Sequence, residues 1–223
     1  YHGFCNRTLW PLFHYFTSLT RFEESHWQEY CNVNQAFCEA LSEILRSDDV
    51  VWVHDYQLML LPRLLRERFP DLTIGFFLHI PFPSSEVFQL LPTAWRVQLL
   101  EGLLGASLIG FHTHDYTRHF LSCVQRILGL EHYLGQLTLP ERGVQVDTFP
   151  MGIEFARFAE AAQRPDTTEQ VAQLRAAHPG QKIIFSVDRL DYTKGLINRL
   201  RGYELFLRQH PEWHGKVVFV LSV

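Results

Sequence analysis

The sequence predicts an α/β protein built on a Rossmann-like parallel sheet, and three observations predict it. Short β-rich runs alternate with helix-length segments along most of the chain. One of these runs, Ile74 to Leu78, is continuously apolar, as a strand covered on both faces is. His, Asp, Arg and Lys gather just after the strand candidates, where open parallel sheets bind ligands.

The elements follow in order. Ser25 to Leu45 reads as an amphipathic helix, with Trp27, Tyr30, Cys31, Phe37, Cys38, Leu41, Ile44 and Leu45 on one face and Ser25 with Gln28 as a capping box. Val50 to Val53 is short and β-rich, so it reads as a strand. Gln57 to Arg68 is long enough for a helix, and Ile74 to Leu78 is the next strand; together they form a βαβ unit. Strand Ser107–Phe111, helix Asp115–Leu128 and strand Val144–Phe149 continue the alternation until Pro150-Met151-Gly152 breaks it. Residues 155 to 178 are polar, Ala/Gln-rich and helical in character. After Pro179-Gly180 come strand Lys182–Val187, helix Gly195–Gln209 and strand Val217–Val223. We therefore expect one Rossmann-like domain over residues 1–153, a connecting helical segment over 154–180 and the start of a second Rossmann-like domain over 181–223. Residues 181–223 are too few to bury a core of their own, and the last strand has no crossover after it. Both features read as those of a chain cut at each end.

Composition narrows the function. Of 223 residues 47% are hydrophobic and 20% charged, with a net charge of −4. That balance offers nothing to attract nucleic acid or an anionic membrane. No apolar run approaches the ~20 residues needed to cross a bilayer. Cys5, Cys31, Cys38 and Cys123 match neither a zinc ribbon nor a CxxC pair, and read as reduced thiols of a cytoplasmic protein. Lysines are few (Lys182, Lys194 and Lys216), so each one is informative.

Three strand ends carry chemistry. Asp55 follows the first strand, where a carboxylate accepts hydrogen bonds from neighbouring sugar hydroxyls or caps the helix that follows. His79 sits between Leu78 and Pro81-Phe82-Pro83, either in a stiffened ligand loop or as a core histidine bonded to a carbonyl. Arg189 and Lys194 span the end of a strand and the start of a helix. Two cations beside a helix N-terminus suit a diphosphate, the alternative being surface ion pairs with Asp188 or Asp191. Tyr1 and Trp10 bracket a loop and offer faces for a sugar ring. His112, His114, Asp115 and His119 lack a metalloprotease-like grouping, so they read as flanking a helix that starts near Thr113; no metal is expected. Gly102 to Gly105 follows a helical run rather than a strand, which excludes a nucleotide loop. Nothing pairs Glu86 and Glu101 as acid and base.

Taken together, these stretches resemble the trehalose-6-phosphate synthases, retaining family 20 glycosyltransferases of the GT-B type with two facing Rossmann-like domains. The matching segments run from Leu9 to Tyr15, Val51 to Leu58, Gly75 to Pro83, Gly110 to Tyr116, Pro150 to Ile153 and Asp188 to Gly195. They span nearly the whole chain in the family's order. The resemblance implies transfer of glucose from UDP-glucose to glucose 6-phosphate, with residues 1–153 on the acceptor side, residues 181–223 on the nucleotide-sugar side and no cofactor. It implies that Tyr1, Trp10 and Asp55 hold glucose 6-phosphate, that Trp10 and Ile80 select its anomer, and that His79, Arg189 and Lys194 serve the donor and the catalytic step. The histidine loop and the two cations would then share one cleft. A second copy of the chain or a trehalose phosphatase is the implied protein partner. Family parts expected before Tyr1 and beyond Val223 are absent, so residues 1–223 alone are expected to be inactive. Still open at this level are a glucosylglycerol-phosphate synthase with another nucleotide-glucose donor, a non-catalytic regulatory homologue, and a phosphosugar-binding domain.

Overall fold

In the computed structural model, which describes residues 1–46 and 48–223, the β-rich runs form eight strands. They are β1 Val50–His54, β2 Thr73–Phe77, β3 Leu108–Phe111, β4 His132–Tyr133, β5 Gln136–Thr138, β6 Gly143–Thr148, β7 Lys182–Val187 and β8 Val217–Ser222. The helices are α1 Trp10–Phe13, α2 Glu24–Ser42, α3 Leu61–Arg68, α4 Ser85–Phe88, α5 Thr93–Leu103, α6 His114–Cys123, α7 Phe155–Ala161, α8 Pro165–Ala177 and α9 Leu196–Gln209. The chain divides into two units, Tyr1–Met151 and Gly152–Val223.

In the first unit the sheet order is β1-β2-β3-β6-β5-β4. The strands β1, β2, β3 and β6 are parallel, but β5 and β4 are antiparallel, a departure from the all-parallel expectation. The hairpin between β4 and β5 turns through Leu134 and Gly135, both at positive φ, as a two-residue primed turn requires. Leucine is a rare occupant of that conformation, which hides the turn in the sequence. One face of the sheet carries a cross-strand row of Val53, Phe76, Ile109 and Val146, all buried. On the other face Trp52 is 66% exposed.

Helix α2 corrects the expected register. It starts at Glu24 with no side-chain cap, so Ser25 and Gln28 form no capping box; Gln28 bonds Asn32 instead. Its buried stripe is Trp27, Tyr30, Asn34 and Cys38, while Phe37 and Ile44 point outward. Gly102 and Gly105 are packing residues: a Cβ on Gly102 would stand 2.5 Å from the Met59 carbonyl, and one on Gly105 would overlap the Pro62–Arg63 backbone. They let α5 and the turn after it lie directly on the start of α3.

In the second unit β7 and β8 are parallel, with α9 as the crossover between them. Leu196 and Val217 are its buried apolar side chains among the described residues.

All four cysteines are free. Burial pushes the Cys5 thiol up to about 11 and that of Cys123 to about 12, while half-buried Cys31 rises less. Thiolate is the reactive form. Iodoacetamide applied to the native protein at neutral pH should therefore mark Cys31 first and leave Cys5 and Cys123 unmodified until unfolding. Mass spectrometry reads this directly, and prompt labelling of Cys123 would contradict it.

Candidate active site

β1 ends at His54, and the chain then turns through Asp55 at φ 73°, ψ 172°, a conformation essentially confined to glycine. Two hydrogen bonds to the neighbouring strand and its loop hold it there. Asp55 N–H donates to the Phe77 carbonyl at 2.8 Å, and its Oδ1 accepts the backbone N–H of His79 at 3.1 Å. The following turn is pinned from α2. The Tyr30 hydroxyl donates to the Tyr56 carbonyl at 2.8 Å and accepts from Met59 N–H at 3.0 Å. The Asn34 amide donates to the Gln57 carbonyl and accepts from Leu60 N–H. Asp55 does sit at an N-cap position, but its carboxylate makes no cap bond and is instead bonded to the His79 loop.

That loop is anchored by Phe82, fully buried among Phe13, Phe88, Phe111 and Phe120 with ring centroids 5.2 to 5.8 Å away. Ser84 N–H donates to the Tyr15 hydroxyl at 2.9 Å, and the Phe82 carbonyl lies 3.1 Å from His119 Nδ1. The core-histidine alternative for His79 does not hold. Its ring is exposed, and its Nε2 lies 2.9 Å from Nδ1 of His54 rather than on a backbone carbonyl. His112 stands edge-on to it at 5.5 Å, and burial together with the neighbouring His79 holds the His112 imidazole below its ordinary value. Three consecutive parallel strands thus deliver one imidazole each to the same mouth.

Residues 4 to 13 are helical throughout, which corrects the expected loop between Tyr1 and Trp10. Both aromatics meet Tyr56. The Trp10 ring lies 5.7 Å from it, and burial together with the Tyr1 hydroxyl drives the Tyr56 phenol above its ordinary range. Tyr1, Trp10, Asp55 and His79 are therefore linked, through Tyr56 and the Asp55 carboxylate, into one patch. Ile80 is buried in the core cluster beside it. A cavity of about 530 Å³ opens next to His54 and His79 and runs over Trp52, Phe77, Leu108 and Phe149. Apart from His54 and His79 its walls are apolar, and they include none of Tyr1, Trp10 or Asp55, so it does not suit a sugar phosphate.

In the second unit, Asp191 caps the short turn Tyr192–Lys194, its Oδ1 accepting from both the Thr193 N–H and hydroxyl at 2.8 Å. Gly195, at φ 64°, then lets the chain enter α9. Arg189 and Lys194 are exposed, and neither forms an ion pair among the described residues. Asp188 is taken by Arg199 at 2.6 Å, which removes the surface-pair alternative on that side. Arg199 also donates to Ser186 and, at 2.8 Å, to the Lys194 carbonyl. Partial burial would raise the Asp191 carboxyl, but the Thr193 bonds and the charges of Arg189 and Lys194 outweigh it and hold it low. Both cations thus lie close to one anchored loop.

Among the described residues no group of three or more His, Cys, Asp or Glu is placed to hold a metal. Thr113 caps α6, accepting from Tyr116 N–H at 3.3 Å, and Asp115 pairs with Arg118 on its surface. Glu86 faces Ser85 and Arg126, and Glu101 pairs with Arg63. No helix among the described residues is long and apolar enough to cross a membrane.

The model of glycosyltransferase family 20 matches residues 1–223. The chain belongs to that family. It is 49% identical over 223 residues to a bifunctional trehalose-6-phosphate synthase/phosphatase of Thermoproteus tenax, matching 100% of this chain and 30% of that protein. It is 48% identical to an α,α-trehalose-phosphate synthase (UDP-forming) of Yarrowia lipolytica, over 99% of this chain and 48% of the relative. The crystal structure of an α,α-trehalose-phosphate synthase (UDP-forming) from Burkholderia vietnamiensis superposes with a TM-score of 0.91 at 39% identity, covering 99% of this chain and 47% of that one. The chain spans less than half the length of each of these proteins. The fold is that of family 20, a GT-B architecture with a mainly parallel sheet.

Within this family frame, the residues that position the site are the ones sequence reasoning passed over. The signal that could have found Asn34 is a polar side chain on an apolar helical stripe. For Arg199 it is a cation in the first turn of a helix, where the macrodipole disfavours it unless it is paired. His54 stands directly after the first strand candidate, beside Asp55, but what it does there shows only in its meeting with His79.

Proposed function

We propose that the full-length protein transfers glucose from UDP-glucose to glucose 6-phosphate with retention, releasing UDP and α,α-trehalose 6-phosphate. The observation that carries this is the hydrogen bond that His79 N–H donates to the Asp55 carboxylate. It couples the residue assigned to the acceptor to the residue assigned to the donor sugar. The names of the relatives support the same reaction. In this scheme Tyr1, Trp10 and Asp55 bind the acceptor, and Trp10 with the Ile80 loop selects its anomer. His79 orients the donor glucose. Arg189 and Lys194 bind the diphosphate and stabilise its charge as it leaves. A retaining glycosidase needs two carboxylates about 5 Å apart; Glu86 and Glu101 are engaged elsewhere. That agrees with the front-face route the family resemblance implies, in which the acceptor hydroxyl attacks on the face the diphosphate leaves from and passes its proton to a phosphate oxygen. The free thiols fit a reducing, cytoplasmic setting, and a trehalose phosphatase is the partner that would consume the product.

The test is incubation of full-length protein with UDP-glucose and glucose 6-phosphate, followed by NMR of the product linkage. An α,α-linked disaccharide phosphate is expected. Binding of both substrates without product, or transfer only to glycerol 3-phosphate, would overturn the proposal.

Asp55 offers a finer check. Asp55→Gly relieves about 1–3 kcal/mol of backbone strain and removes the charged hydrogen bond from His79 N–H, about 1.5–3 kcal/mol. The two nearly offset, so the thermal midpoint should stay near that of the wild type, while KM for glucose 6-phosphate increases at least about tenfold, as expected for loss of one charged hydrogen bond to the ligand of about 1.5–3 kcal/mol. A fall in midpoint with unchanged KM would reverse the assignment.

A further inference from the structure

His54 is the last residue of β1, and its ring lies against that of His79, 25 residues further along. The two ring planes are 23° apart, and Nδ1 of His54 is 2.9 Å from Nε2 of His79. That is a hydrogen bond made in the plane of both rings, not a face-to-face packing contact. One nitrogen must carry the proton and the other must be bare. The contact therefore leaves Nδ1 of His79 free and ties its state to the tautomer of His54: Nδ1 donates where His54 supplies the shared proton and accepts where His79 supplies it.

The rest of the surroundings hold His54 for this task. Trp52, on the same face of β1, supports its ring at a centroid distance of 4.5 Å. On the other side, His79 is flanked by Phe77 at 4.8 Å and by His112 at 5.5 Å, and neither makes a hydrogen bond to its ring. Its backbone N–H is already held by Asp55. Among the described residues, the imidazole of His79 has one polar partner in the protein, which is His54.

We propose that His54 is a positioning residue: it sets the tautomer and the ring orientation of His79, so that Nδ1 of His79 is presented in one defined state to a sugar hydroxyl of the donor. The inference rests on the donor-side role proposed above for His79. It adds a residue that touches no substrate and acts through its neighbour.

Two variants of the full-length protein separate this from mere packing. His54→Phe keeps a flat ring against Trp52 but has no nitrogen. His54→Asn loses the ring but places an amide where Nδ1 stood, able to donate or accept. His54→Phe is expected to lower kcat about 10–100-fold, the range seen when a second-layer partner is lost, with KM for glucose 6-phosphate unchanged. His54→Asn is expected to recover most of that loss. In histidine-selective ¹⁵N spectra, the His79 pair of ring shifts should move toward tautomer averaging in His54→Phe and stay near wild type in His54→Asn. The proposal is overturned if His54→Phe keeps wild-type kcat, if its His79 shifts do not move, or if His54→Asn is as impaired as His54→Phe. A failure of the underlying role looks different: His79→Phe would then retain full turnover, whatever the spectra of the His54 variants show.

Discussion

Lys194→Ala in the full-length protein is expected to lower the rate of trehalose 6-phosphate formation about 10²–10³-fold, the loss of about 2.7–4 kcal/mol typical of removing one preorganised charge stabiliser. The size of the effect follows from how the loop is built. Its nearest acids are already committed: Asp188 to Arg199, and Asp191 to the Thr193 amide and hydroxyl. Lys194 thus keeps its charge for a ligand, and its backbone carbonyl is held by Arg199, so little reorganisation is needed when a diphosphate arrives. The loss should fall on kcat at saturating UDP-glucose, because the charge on the leaving group grows in the transition state. Lys216→Ala, in the same unit but outside the loop, is the control and should leave the rate unchanged. An unaltered rate for Lys194→Ala would remove its assigned role.

Gly105→Ala is expected to be the most damaging single methyl in the first unit, costing about 3 kcal/mol, the upper end of overpacking penalties. The added carbon would enter the space of the Pro62 carbonyl carbon and the Arg63 backbone. Those atoms belong to the first turn of α3 and cannot rotate away as a side-chain tip would. The turn is also held by Arg66, which donates to the Gly105 carbonyl, and by Arg142, which donates to the carbonyls of Leu104 and Ala106. Moving the chain to admit the methyl would break these bonds as well. The check is the urea midpoint of full-length protein beside Gly143→Ala, where a Cβ meets nothing closer than 3.6 Å and a change within about 0.5 kcal/mol is expected. Equal midpoints for the two variants would show that the close approach of α5 to α3 is not a stability determinant.

β7 was read to the residue, because Lys182 to Val187 is a β-rich run with turn residues on either side. The crossover of α3 and the strands β1, β2, β3 and β6 were legible to within one to four residues, since their patterns are local. The hairpin β4–β5 was not, because its turn uses leucine where asparagine or aspartate would have signalled left-handed backbone. The capping box at Ser25 failed for a similar reason: packing of Trp27 and Tyr30 set the phase of α2, and the local signal lost. Gly102 and Gly105 were correctly excluded as a phosphate loop, but their purpose needed the partner helix.

By itself the sequence determined the strand-and-helix alternation, the family, and which residues stand at the strand ends. Those properties depend on side-chain periodicity and on motifs whose members lie within a few positions of each other. Only the tertiary structure decided what each strand-end residue touches: the carboxylate of Asp55 on the loop of His79, the imidazole of His54 on that of His79, the hydroxyl of Tyr30 on the turn after β1. The reason is physical. Each of these is a directional hydrogen bond between groups 24 to 26 residues apart, and its geometry exists only once hydrophobic burial has brought neighbouring elements into register.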